Sequence, residues 1–221
     1  YNGCKNCEDS YQQFLQVYGR MRDPLNGLYY HAYDDSRQMF WCDKVTGLSE
    51  NFWLRAMGWY AMALIDTMEV MPESMACQKA RLNAIYKELI DAMLPYQDQA
   101  TGMWYQVVNR GGIAPNYLEE SGSAIFAYAI MKSVRLHYLP QEYFKYGQKA
   151  FDGICSTYLS EKDGSLQLGG ICLVAGLGGK QMRSGTYDYY MSEPVVKDDA
   201  KGVGPFLLAY TEMRRAGLIE A

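Results

Sequence analysis

Histidine is nearly missing from this chain: two occur in 221 residues, His31 and His137. Of six cysteines only Cys4 and Cys7 are closely spaced, and a single C-x-x-C is half a zinc site, so no metal is expected. Cys42, Cys77, Cys155 and Cys172 stand among apolar residues and read as small buried hydrophobes, which leaves the redox compartment open. Basic runs are missing too. With 21 Lys and Arg against 25 Asp and Glu the net charge is −4, which argues against nucleic acid and anionic membranes as partners. No apolar stretch approaches the roughly 20 residues that cross a bilayer, and no signal-peptide pattern opens the chain. Cytoplasm and periplasm both stay open. The run GLGGK (176–180) lacks P-loop spacing and leads into no helical pattern, so no phosphate-bearing cofactor is expected.

A two-acid machine is also missing. A conventional glycosidase sets two carboxylates across the scissile bond, roughly 5 Å or 6.5–9.5 Å apart. Asp34 and Asp35 are neighbours, and neighbours in an extended segment point to opposite sides. Glu119 follows Asn116 by three residues, as in a capping arrangement, and Glu120 complements the dipole of the helix that follows. Asp198 and Asp199 precede the last helical run and have the same explanation. His137, at a helix end, favours the negative end of the dipole.

Aromatic residues are abundant. Between Asp23 and Tyr60 lie three of the four tryptophans, together with His31 and Arg55. Aromatic faces beside a cation suit a sugar acid, because ring C–H groups stack on them while a carboxylate pairs with guanidinium. Arg55 sits early in an apolar helix between Trp53 and Trp59. A guanidinium there needs either a ligand or an internal acid, since an unpaired buried charge costs several kcal/mol. The twenty tyrosines are assigned mainly to packing.

The pattern of that stretch repeats. DPLNGLYYH (23–31) and DQATGMWYQ (98–106) share an acid, a turn glycine, an aliphatic residue and two aromatics; EKDGSLQLGG (161–170) keeps the acid and the glycine. Each precedes an apolar helical run, at 52–68, 117–134 and 205–213. Amphipathic runs at 8–21, 74–97 and 140–159 alternate with these. Outer and inner helix pairs repeated every sixty to eighty residues predict an α/α solenoid or closed toroid, with the loops gathered at one end of the inner helices.

The runs HAYDDS, TGLSENFWLRAMGWYAMAL, TGMWYQVV, NYLEESGSAIFAYAIMKSV and SEPVVKDDAKGVGPFLLA cover nearly the whole chain. They resemble glycoside hydrolase family 105, the unsaturated rhamnogalacturonyl hydrolases. The resemblance implies an all-α (α/α)6 toroid, of which this chain supplies about half the helical hairpins. It also implies hydration of the vinyl ether that pectin lyases leave on a terminal uronic acid, with one general-acid aspartate in place of an acid pair. By motif, His31, Trp53, Arg55 and Trp59 match substrate-site positions, and Tyr33 stands where many members carry tryptophan. The expected proton donor belongs to a Trp-Leu-Asp-Gly type segment upstream of Tyr1. The expectation is therefore a single-domain C-terminal portion, residues 1–221, whose partners are an unsaturated uronyl oligosaccharide and the N-terminal half of the same enzyme. Family 88 unsaturated glucuronyl hydrolases, and a non-catalytic sugar-binding toroid, are the alternatives.

Overall fold

Each of the six helical runs forms a helix in the computed structural model, which describes residues 7–219. In chain order they are α1 (Cys7–Met21), α2 (Leu54–Val70), α3 (Ala76–Met93), α4 (Glu120–Arg135), α5 (Phe144–Tyr158) and, after a short α6 (Tyr187–Ser192), α7 (Ala200–Arg215). Helices α2, α4 and α7 lie side by side as an inner row, with α3 backing α2, and α5 backing α4 and α7. This is the two-layer arrangement of an α/α toroid, built as an arc. Helix α4 sits at its centre and is buried from Glu120 to Val134. Its small residues let neighbours approach closely: a Cβ on Gly122 would collide with Leu54 of α2.

The inner helices run parallel, as their two ends show. At the N-terminal end Arg55 of α2 meets Ser121 of α4. At the C-terminal end Lys132 Nζ of α4 lies 2.8 Å from Asp66 and 2.7 Å from Glu69 of α2, while Arg135 grips Glu212 of α7 through two bonds of 2.7 and 3.0 Å. Removing one partner from such half-buried clusters strands the other charge, so they hold the register of the row.

The turns before the inner helices share one construction. In Asp23–Leu28, Asp43–Leu48 and Asp98–Met103 the aspartate N–H donates to the carbonyl five residues on, at 2.8, 2.9 and 2.8 Å. The glycine N–H donates back to the aspartate carbonyl at 2.9, 2.8 and 2.8 Å, and the glycine φ is +78°, +81° and +74°. The aspartate carboxylate accepts from backbone amides inside each turn. The third copy is thus Asp43–Leu48, not 161–170. That segment is instead a hairpin of β1 (Leu159–Lys162) and β2 (Ser165–Leu168), turned by Asp163 and Gly164, both at positive φ. A second antiparallel pair joins β3 (Ile171–Cys172) to β4 (Val195–Val196).

Several smaller expectations change. Helix α7 starts at Ala200, where Asp199 accepts from Lys201 N at 2.9 Å, and Pro205 lies inside it. Asp198 belongs to no cap; it accepts from Leu168 N and pins the β2 strand. Asn116 does not cap α4 either, because its amide is spent on Val107 and Arg110, and Glu119 caps the helix itself. Cys42 and Cys172 are buried as expected, whereas Cys155 is half-buried and Cys77 exposed, on the solvent side of α3. Cys4, half of the C-x-x-C, lies outside the described residues.

Glu120, read as a dipole partner, is fully buried, and its carboxylate oxygens take no hydrogen bond among the described residues. It points at the start of α7, where a Cβ on Gly202 would collide with it. Burial, with Glu119 adding repulsion against the pull of Arg55, pushes its carboxyl up to about 9, so it is neutral at pH 7.

Both kinds of position have measurable consequences for stability. In the Asp98 turn, a Cβ on Gly102 would stand 2.6 Å from Lys149 Cγ and 2.8 Å from its backbone carbon. Gly102→Ala is expected to cost about 2–3 kcal/mol. Gly112→Ala, at φ +74° in open space, should cost only about 1 kcal/mol; urea midpoints measure both. For Glu120 the folded state holds its proton more tightly than the unfolded chain. Its contribution is therefore complete below about pH 4.5 and lost as pH rises toward about 9. Glu120→Gln should abolish that decline, and the wild-type-minus-variant difference across the pH series should reach on the order of 2–3 kcal/mol by pH 7.

Candidate active site

Short extended segments cross the N-terminal ends of the inner helices and bond to one another. His31 N donates to Asn51 O, Leu54 N to Gln106 O at 3.0 Å, Gln106 N to Tyr117 O at 2.9 Å, and Glu119 N to Trp104 O at 2.9 Å. These links place side chains from distant parts of the chain in one cluster. The Asp23 turn delivers His31, the start of α2 delivers Trp53 and Arg55, and α6 delivers Tyr190.

Arg55 is 1% exposed, and its guanidinium lies over the Trp53 ring, 4.9 Å from the centroid. Both of its hydrogen bonds leave from Nη1, to Ser121 Oγ at 3.0 Å and to the Cys172 carbonyl at 2.7 Å. The Glu119 carboxylate stands 4.0 Å away. An internal acid therefore does face Arg55, but Nε and Nη2 take no acceptor among the described residues. Glu119 is itself fixed, accepting from Ser121 N, Ser121 Oγ, Gly122 N and Cys172 N. Trp53 is oriented by its indole N–H, which donates to Gln106 Oε1 at 3.0 Å, and Gln106 in turn reaches Cys172 Sγ.

His31 packs against Trp53, with centroids 4.6 Å apart, and its Nδ1 is 2.6 Å from the Tyr190 hydroxyl. Burial, helped by the nearby Arg55 charge, brings the imidazole down to about 4, so it is uncharged at pH 7. Tyr190 is fully buried in the same patch, 6.3 Å from Trp53 between ring centroids. Sequence reasoning missed it, because α6 is a six-residue helix with no periodicity to find.

The other two predicted residues lie apart from this cluster. Trp59, one turn along α2 from Arg55, is 41% exposed and makes no ring contact among the described residues. The Tyr33 hydroxyl accepts from Arg20 at 2.8 Å and donates to Asp35 at 3.0 Å, with the Arg20 guanidinium over its ring. Asp34 faces away from Asp35 and collects the amides of Ser36, Gln38 and Met39, which bring its carboxyl down to about 2. An open depression of about 470 Å³ beside Tyr30, Trp41 and Glu50 contains none of the five predicted residues.

The arrangement offers a fixed cation, an uncharged imidazole and an indole face, with no free acid pair. Chemically, such a set can pair with and orient an anionic ring, and it offers no proton donor for one.

Known proteins are similar to this chain in sequence and in fold. Protein Atu3128 of Agrobacterium fabrum (strain C58 / ATCC 33970) is 42% identical over 212 residues, which cover 93% of this chain and 89% of that protein. The unsaturated rhamnogalacturonyl hydrolase YesR of Bacillus subtilis (strain 168) is 31% identical over 160 residues, 71% of this chain but 40% of that protein. The solved structure of a family 105 glycoside hydrolase from C. acetobutylicum ATCC 824 superposes with a TM-score of 0.93 at 44% identity, over 97% of this chain and 60% of that one. The chain thus spans less than two thirds of the family 105 structure and of YesR, yet most of the Agrobacterium protein, so the expectation of a fragment gains no support from length. Residues 1–216 match the family described as Glycosyl Hydrolase Family 88, and the chain belongs to that family of hydrolases, alongside solved relatives of family 105.

Proposed function

We propose that this chain carries the uronate-binding side of a hydrolase that releases unsaturated galacturonic acid from the non-reducing end of rhamnogalacturonan oligosaccharides made by pectin lyases. One observation carries the reading: a buried guanidinium on an indole face, with Nε and Nη2 unclaimed among the described residues, beside an uncharged imidazole. The likeness to YesR supports the choice of sugar.

In this reading Arg55 takes the uronate carboxylate through Nε and Nη2, and its Nη1 anchors hold it in position while the charge of the bound ring redistributes. Trp53 and the exposed Trp59 supply stacking faces, and His31 hydrogen-bonds a ring substituent. Tyr33 stands outside this set as an outlying aromatic. Protonation of C4 followed by water addition at C5 gives a hemiketal that opens and frees the next sugar, so one general acid suffices. No acid of the cluster is free for that step. Glu119 is consumed by four donors, and Glu120 is buried against α7. In this reading the proton donor lies outside this cluster.

Turnover of an unsaturated galacturonyl-rhamnose disaccharide, followed as loss of the double-bond absorbance, tests the assignment. In the complete enzyme Arg55→Lys keeps the charge but not the two-pronged geometry, and kcat/KM should fall about 10–100-fold. Arg55→Ala should lose on the order of 2–4 kcal/mol of transition-state stabilisation. An unchanged kcat/KM in both retires the role of Arg55. Faster turnover of a glucuronyl substrate favours the unsaturated glucuronyl hydrolase alternative, and discharge by residues 1–221 alone places the proton donor in this chain.

A further inference from the structure

His31 and Tyr190 are 159 positions apart in sequence, yet the phenol oxygen lies 2.6 Å from His31 Nδ1. A hydroxyl and a ring nitrogen at that distance share one proton, and which atom donates decides what the other face of the imidazole can do. Suppose Nδ1 carried the hydrogen. The phenol would then have to direct its own proton elsewhere, and among the described residues the Tyr190 hydroxyl has no second acceptor. A buried O–H without a partner is costly, so the phenol donates and Nδ1 accepts. The surroundings agree. Burial, with Tyr189, Glu50 and Cys172 nearby, raises the phenol well above its ordinary range, so its proton stays on oxygen. Arg55 opposes a positive charge on His31.

We propose that Tyr190 is a positioning residue that holds His31 as its neutral Nε2–H tautomer, so that the imidazole meets the sugar as a hydrogen-bond donor and never as a base. The ring is packed as well, against Trp53 and Tyr190, whose centroids lie 4.6 and 5.9 Å away. The short helix that carries Tyr190 is itself anchored, because Asn51 Nδ2 donates to the Gly185 carbonyl at 2.8 Å and Thr186 Oγ1 caps the helix at Tyr189 N. The inference rests on the uronyl-binding reading for the identity of the acceptor, a sugar hydroxyl or carboxylate oxygen. The tautomer itself does not depend on it.

Nitrogen-detected imidazole NMR on the whole chain is the test, and the low histidine count makes it clean, since His137→Gln leaves His31 as the one remaining signal. The expected spectrum at pH 7 has a protonated Nε2 and a bare, hydrogen-bonded Nδ1, with no conversion to imidazolium down to about pH 5. Tyr190→Phe should mix the two tautomers. In the complete enzyme it should also lower kcat/KM about tenfold, mainly in kcat, with a new acid-limb dependence on pH as the freed Nδ1 takes up a proton. A protonated Nδ1 in the wild-type chain overturns the proposal, as does a Tyr190→Phe spectrum identical to wild type. Should Tyr190→Phe fail to fold, the wild-type spectrum decides alone. The expected spectrum together with no turnover of any unsaturated uronyl sugar would sink the substrate reading and leave the tautomer assignment standing.

Discussion

One carboxylate ties the architecture together. Glu119 ends an extended segment, caps α4 through Ser121 N and Gly122 N, and receives Cys172 N from β3. It also takes the Ser121 hydroxyl, whose oxygen in turn accepts from Arg55. A fully buried charge is tolerable only when donors surround it, and here the donors come from separate parts of the chain. The same contacts that compensate Glu119 therefore fix where Arg55 points. Scaffold and binding group are one network, and the stability of the first is the geometry of the second.

The two ends of the inner row are built on different physics. The C-terminal ends are held by side-chain ion pairs around Lys132 and Glu212. The N-terminal ends are held by backbone hydrogen bonds between extended segments, which leave side chains free to face the cluster. The repeated aspartate turns precede those segments with the same hydrogen bonds and the same positive glycine φ. Recurrence of one turn at 23–28, 43–48 and 98–103 thus gives irregular loops the precision more often found in regular elements.

Much of this architecture is legible in the sequence. Apolar periodicity located α1, α3 and α5, because burial on one face imposes its spacing, and unbroken apolar runs after the turns located α2, α4 and α7. Arg55 beside Trp53 was visible as a charge that needed a reason. Other features were hidden for identifiable causes. The hairpin at 159–168 resembles the aspartate turns in composition, but its Asp163-Gly164 pair lies directly between two strands and folds tightly back. The true third copy, Asp43–Leu48, carries the D-x-x-T-G-L spacing openly, and direct comparison with 98–103 would have found it. Pro205 looked like a helix start, although Asp199 caps the helix well before it. Tyr190 had no local signature, since its partner is set by tertiary folding alone. Glu120 looked like an ordinary first-turn acid; only the proximity of Gly202 reveals it as a buried group.

Trp59 differs from the aromatic residues of the cluster in its exposure. The aromatic and charged groups of the cluster prop up the scaffold, and exchanging one of them disturbs it. The indole at position 59 stands 41% exposed on α2 and makes no ring contact among the described residues. Its surroundings therefore tolerate exchange, and a library that varies this one side chain would ask about ligand contact at little risk to folding.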